Sequence, residues 1–521
     1  MKRTVASQLA LATIPGRKPT GEHPLAARST DGAPRGVALL FVLLLLSMAL
    51  GLSYAAMHSA STGEMIQRNA DRRAQARQAA ITGLTVALKK MQRDSWPGVD
   101  STLAGTLSAW EKFSVTYTTG DPRLDASDAE QPYRVTLIST GRAIDPTHAS
   151  SVATYTVRAV VRLIPRKLAD EPSDWSSMIS QTVYQWTSGT FYMDLPARIE
   201  GPVRMQATFL TGWSYSWWGD PRNQYLQDLG AMYSAGQGDY RGLSGTISLP
   251  SWQNYDTTLI LSSYWNLPVK NLSNRTITSF SFPNSVSTYH LYPGGKSYTV
   301  ETLPSSIGSA VYRADPATNP AGLFVRPGGL TIGANTTING TVITTYGGRI
   351  AISGQNVAMS PVNLPALFGS SSPVQLPTAV VGGDFRINSG AGANVTGLVA
   401  VHDTYDVESS DDTATTLTHQ GKLIAGGVTF EPRNNWNNKT ALWWQSQYNA
   451  FMSQKNYPSG IKYFPVWMAK KQSLDYKPRL SIAPDANTIQ YHWHNPQNTI
   501  YESLASDGGL RWNLLEWKEN L

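Results

Sequence analysis

Apolar positions crowd one stretch of the chain and then thin into short alternating patterns. Residues 35–57 read RGVALLFVLLLLSMALGLSYAAM, and no Asp, Glu, Lys or Arg occurs from Gly36 to Gly63. As a helix, Val37 to Met57 measures about 31 Å, enough to span a bilayer core. A secretory signal core is usually shorter, although Ser53-Tyr54-Ala55 has the small-x-small form of a cleavage site. The next segment, EMIQRNADRRAQARQAAITGLTVALKKM, lacks proline and sets Ile66, Ala70, Ala74, Ile81, Leu84, Leu88 and Met91 at three- and four-residue spacing. This predicts a helix with one apolar stripe, ended by Pro97. A single helix from Val37 to Arg93 would be about 85 Å long, half apolar all round and half amphipathic.

After the helix the period changes to two. KFSVTYTT (112–119), PYRVTLISTGRA (132–143) and ATYTVRAVVRLIP (153–165) are rich in β-branched and aromatic residues and joined by polar links bearing Asp, Pro or Gly. They predict a three-stranded antiparallel meander. Packed on the helix stripe, it makes a small α+β head over residues 94–170.

Residues 171–432 hold short strands rich in Gly, Asn, Thr and Val. Leu330-Thr-Ile332 recurs as Ile350-Ala-Ile352, GANTTINGTVI (333–343) is echoed by GANVTGLVAV (392–401), and shorter forms occur at 198–206 and 421–430. Such echoes predict a β-solenoid with inward Val, Ile and Leu and with Gly or Asn at corners needing positive φ. A β-sandwich is the alternative, since short alternating strands suit both. Residues of about 210–325 read as an insertion in this domain. Residues 433–521 hold seven of the 16 Trp and read as a cap over exposed strand edges, with a helix at ALWWQSQYNAFMSQ; a sugar-binding platform is the other reading of those aromatics.

Composition changes this picture mainly by exclusion. The chain of 521 residues has no cysteine, so disulfides, thiolate metal sites and cysteine nucleophiles are out. The formal charge of +7 is concentrated at the start: residues 1–93 carry 13 Lys and Arg against 4 Asp and Glu, whereas the rest carries 30 against 32. The folded part is not basic, and nucleic acid is not an expected partner.

Chemistry-bearing clusters are sparse. Asp403, Asp406, Glu408, Asp411 and Asp412 form an acidic loop that could hold Ca²⁺, yet the spacing lacks the glycine and terminal glutamate of an EF-hand. His492 and His494 share one face of a strand without an evident third ligand. No phosphate loop, Gly-x-Ser-x-Gly or His-Glu-x-x-His occurs. No catalytic residue and no cofactor are assigned.

Arg-Gly before a long uncharged helix, then an amphipathic extension and an antiparallel sheet, resembles the type IV pilin-like proteins. The words RGVALL and SYAAM are most similar to PilX-type minor pilins and to the K-type minor pseudopilin of general secretion systems, over residues 35–165. The resemblance implies that a prepilin peptidase cuts between Gly36 and Val37, removing a leader of residues 1–36. It also implies a single-pass inner-membrane protein with an extracytoplasmic bulk, assembling with other pilin-like subunits through residues 37–93. The leader is long for that class, and Phe41 stands where most pilins carry a glutamate understood to pair with a neighbour's amino terminus. An unpaired carboxylate in lipid is costly, so its absence suits a minor or tip subunit. Two alternatives stay open: an unprocessed surface adhesin or cell-wall and carbohydrate binder, and a membrane-tethered polysaccharide-active enzyme.

Overall fold

The computed structural model describes residues 35–93, 95–168, 178–187, short strands between 191 and 271, 287–410, 414–432, 479–486, 489–491, 499–502 and 510–519. Its contacts divide it into two units, Met1–Asp71 and Arg72–Leu521. One helix, α1 (Arg35–Met91), runs through both. Neither Gly51 nor Gly63 breaks it.

The second unit begins with the head. Strands β1 (Thr102–Thr106), β2 (Glu111–Thr119), β3 (Arg134–Ile144) and β4 (Val152–Ile164) pair antiparallel in that order. Three match the expected meander, and β1 is an addition: its Thr-Leu-Ala-Gly-Thr is too small and polar to show a strand pattern. A fifth strand comes from the far end of the chain. Arg511–Glu519, which the sequence grouped with a carboxy-terminal cap, pairs antiparallel with β4 and places Arg511 opposite Ile164. Residues 165–510 are therefore an insertion between two neighbouring strands of one sheet.

The head core lies between the sheet and the last five turns of α1. Val115, Tyr117, Val135, Leu137, Val157, Ala159 and Val161 meet Ala80, Leu84, Ala87 and Met91. The stripe is rotated from the expected one. Leu84 and Met91 are buried and Ile81 and Leu88 partly so, whereas Ile66, Ala70 and Ala74 are exposed and Ala76, Ala79 and Ala80 are fully buried. Size is the reason. A Cβ on Gly141 would lie 2.0 Å from the Ala76 carbonyl oxygen and 2.4 Å from the Ala80 nitrogen, so backbone meets backbone and only small residues fit.

The distal domain is a parallel β-solenoid. Three strand columns rise together: Leu323–Arg326, Thr341–Thr344 and Ala379–Val381; Leu330–Ile332, Ile350–Ile352 and Phe385–Ile387; Thr337–Asn339, Val357–Ser360 and residues 393–395. The columns continue through the long strands Gly392–Ser409 and Thr416–Pro432. Leu330 pairs directly with Ile350, so the twenty-residue echo in the sequence is one turn of the coil. At one corner Asn335 and Asn356 take positive φ (54° and 60°), and the Asn356 amide donates to Asn335 Oδ1 at 3.1 Å. The side chains of Leu330, Ile332, Ile350, Ile352, Phe385, Ile387, Tyr405 and Val407 fill the interior.

Stacking order departs from chain order. The rungs start at Glu301–Thr302, inside the stretch read as an insertion, and rise to Thr416–Pro432; Leu480–Ala483 and Val183–Gln185 both stack on that strand, and Ala197–Ile199 stacks on Leu480–Ala483. There the parallel stack gives way to antiparallel strands at Thr246–Ser248, Gln253–Tyr255 and Leu259–Leu261. The column containing Thr341–Thr344 is buried on both faces. Its outward Leu323, Val325, Ile343, Val380, Leu398, Ala400 and Ile424 join the same apolar cluster as the head. The helix expected at ALWWQSQYNAFMSQ, His492 and His494 lie outside the described residues.

Candidate functional site

From Val37 to Met57 every large apolar side chain of α1 is at least half exposed, whichever way it points. Phe41 is 64% exposed. Among the described residues this is the one helix long and apolar enough to cross a membrane. Two of the polar side chains on this part of α1 turn back on the helix: the Ser47 hydroxyl donates to the Leu44 carbonyl at 2.8 Å and that of Thr62, just beyond the apolar stretch, to the His58 carbonyl at 2.8 Å. Such bonds reduce the polarity that these hydroxyls present to lipid or to another apolar helix. The Gly36–Val37 peptide lies within α1.

Past Asp71 the same helix is clamped. The Ser139 hydroxyl donates to the Ala80 carbonyl at 2.7 Å, and Trp512 Nε1 to the Met91 carbonyl at 3.2 Å. Arg77 forks onto Glu519, Nε to Oε2 at 2.6 Å and Nη2 to Oε1 at 2.9 Å, while the Tyr155 hydroxyl donates to Oε2 at 2.8 Å. These donors, Arg77 first and Tyr155 second, hold the Glu519 carboxyl down at about 2. Asp145 is likewise lowered to about 2, chiefly by the Thr147 hydroxyl and N–H with Arg72 adding to them; Arg72 lies 2.9 Å away. Trp512 packs edge-on against Trp96 and Tyr292, with centroids 5.6 and 5.2 Å apart. The chain's last strand thus holds the end of its first helix.

The acidic loop does not converge. Asp406 and Glu408 project from one strand onto Arg386, whose Nε is 2.9 Å from Asp406 Oδ2 and whose Nη2 pairs with Glu408. A guanidinium thus sits between the two carboxylates. The Thr429 hydroxyl donates to Asp406 at 2.7 Å, yet burial still raises the carboxyl above its ordinary value. Asp403 instead accepts from His402 Nδ1 at 2.6 Å. Asp411 and Asp412 lie outside the described residues. Among the described residues no group of three or more His, Asp or Glu is placed to hold a metal.

No protein-family model and no curated protein matches the chain. Among solved structures, the competence-associated pilin ComZ from Thermus thermophilus is similar at 10% identity, covering 86% of this chain and 98% of that one, with a TM-score of 0.17. A score at this level is no guide to fold or role.

Sequence reasoning missed the Ala76, Ala79, Ala80, Gly83 and Ala87 face and the carboxy-terminal clamp. The small residues do carry a signal, since they recur at three- and four-residue spacing, but a search for large apolar residues passes over them. The pairing of Arg77 with Glu519 spans 442 positions and leaves no local trace.

Proposed function

We propose that the chain is a minor or tip subunit of a type IV pilus or pseudopilus-like assembly, inserted once in the inner membrane, with its β-rich bulk outside. One observation carries this reading: a single helix is apolar and uncovered all round for twenty residues and then, without a break, becomes the clamped helix of an α+β head. Such a sleeve suits lipid before assembly and the sleeves of sister subunits afterwards, because close packing there replaces contact with lipid tails. Phe41 supports a low-copy position. With no carboxylate to pair with a neighbour's amino terminus, the subunit loses little by lacking a neighbour on that side. A large insertion carried at the edge of the head supports the same position on grounds of bulk.

The test is the amino terminus of the protein recovered from cells. Mass spectrometry is expected to find a chain starting at Val37 with an N-methyl group. A chain still carrying residues before Gly36 would make the protein a plain membrane-anchored surface protein, and one starting near Ala56 would make it secreted; either outcome overturns the fibre reading. Immunogold labelling is expected to mark fibre ends or bases, and uniform decoration would remove the low-copy role.

A further inference from the structure

The two outer edges of the head sheet are built differently. One is the last strand, Arg511–Glu519, which carries Arg511, Glu516, Lys518 and Glu519 and a bulge between Leu514 and Glu516. Charge and a bulge both discourage the addition of a further strand. The other edge is β1. From Ser101 to Ala109 no residue is charged and none is proline, and the register of β1 against β2 is unbroken. The Tyr117 N–H donates to the Ser101 carbonyl at 3.2 Å and the Leu107 N–H to that of Glu111 at 2.9 Å. Antiparallel pairing alternates along a strand, so Leu103 and Gly105 also turn their N–H and C=O groups to β2, while Thr102, Ala104 and Thr106 turn theirs away. Among the described residues these three find no other backbone partner, and all three are exposed.

The face beside this edge carries unmatched positive charge. On the side of the sheet away from α1, Arg134, Arg158 and Arg162 are each paired with a carboxylate, from Asp121, Glu516 and Glu130. Nearer β1 the pattern changes. Lys112 and Arg142 stand directly opposite one another on β2 and β3, both exposed, and among the described residues neither has an ionic partner. Like charges facing one another across strands weaken a sheet, and Arg142 repels Lys112 toward β1. Thr106, opposite Lys112 on β1, is too short to stop the lysine reaching over the edge. Glu111, the neighbouring residue on β2, alternates to the other face, and Asp100 lies before the opposite end of β1. On the helix side, Leu103 is partly buried against the head core and Leu107 is exposed.

We propose that β1 is a docking edge for an extended segment of a partner protein, one in which acidic and apolar residues alternate. Main-chain bonds to Thr102, Ala104 and Thr106 supply affinity, as in other strand additions. Successive side chains of an added strand point to opposite faces, so its acidic residues meet Lys112 while its apolar residues cover Leu103 and Leu107. Asp100 repels acidic residues at the far end and thereby sets where along β1 the acidic part of the segment lies. The edge involves no residue of the apolar sleeve, so docking here and processing at Gly36 fail or succeed independently.

The test uses the full chain in detergent micelles, titrated at low salt with two end-capped peptides, Thr-Val-Thr-Val-Glu-Val-Glu and the reverse order, which serve the two strand directions, and with counterparts carrying Lys in place of Glu. At least one acidic peptide is expected to bind by calorimetry, and roughly threefold or more tighter than its lysine counterpart, a preference that shrinks as salt is added. Ala104→Pro removes an edge-facing N–H that has no partner within the described chain and is expected to weaken binding tenfold or more. Lys112→Glu, a change at an exposed position, is expected to reverse the charge preference and keeps the test sound should the proline unsettle the head. Lys518→Glu, on the guarded edge, is expected to leave binding unchanged. Failure of both acidic peptides to bind would overturn the proposal, as would equal binding of the lysine peptides or unchanged affinity in Ala104→Pro and Lys112→Glu together. A concentration-dependent dimer of the chain that Ala104→Pro abolishes would give the edge to a second copy and overturn it as well.

Discussion

At Gly141 one missing methyl group sets the distance between helix and sheet. Gly141→Ala is expected to destabilise the head by about 1–3 kcal/mol, because the clash is with backbone that cannot rotate away; a lower denaturant midpoint at unchanged slope is the measurement. His419 acts through charge instead. It is buried in the solenoid with Nε2 3.0 Å from the Gly397 carbonyl oxygen, and its ring stacks 6.0 Å from that of Tyr405. Burial lowers its pKa from 6.5 to about 4, against the opposing pull of that carbonyl. The unfolded chain takes up the proton first, so this stability is full above about pH 6.5 and is lost as pH falls toward 4. The loss is on the order of 3 kcal/mol. His419→Gln should flatten that part of the stability–pH curve, and a slope unchanged by the substitution would show that other groups carry it.

At the scale of elements, the carboxy-terminal strand is the keystone of the head. Trp512→Ala removes a ring packed on Trp96 and Tyr292 and a donor to the Met91 carbonyl. It is expected to cost about 3–5 kcal/mol, the range for a large aromatic lost from a core. Limited proteolysis should then cut within the last turns of α1, which are protected in the unsubstituted chain. Elements were legible in proportion to how local their signals are. α1, β2, β3 and β4 showed through because period and length speak for themselves within ten or twenty residues. The coil was legible because Leu330-Thr-Ile332 and Ile350-Ala-Ile352 repeat at the spacing of one turn. The helix face was misread because close approach selects Ala and Gly, which hydropathy ranks low. The acidic loop suggested a cation site because nothing in its own text shows Arg386 arriving from the neighbouring rung to fill it.

For the whole molecule, the controlling feature is that residues 165–510 are spliced between two adjacent strands. Arg511 faces Ile164 across the sheet, so a short turn can replace the insertion. A head made that way should form its sheet yet be less stable, since Tyr289, Leu291, Tyr292 and Tyr298 from the distal domain share its core; circular dichroism and a thermal melt would show this, and a melt equal to that of the parent would refute it. The splice also sets a timetable. A ribosome adding roughly 5–20 residues per second needs about 20–70 s to go from the end of β4 to the start of its partner strand. Throughout that interval β4 has an open edge and the end of α1 lacks the strand that holds it. The head is therefore finished last, after the solenoid inserted in it, and a copy truncated before Arg511 never acquires the strand that closes its sheet and holds the end of α1.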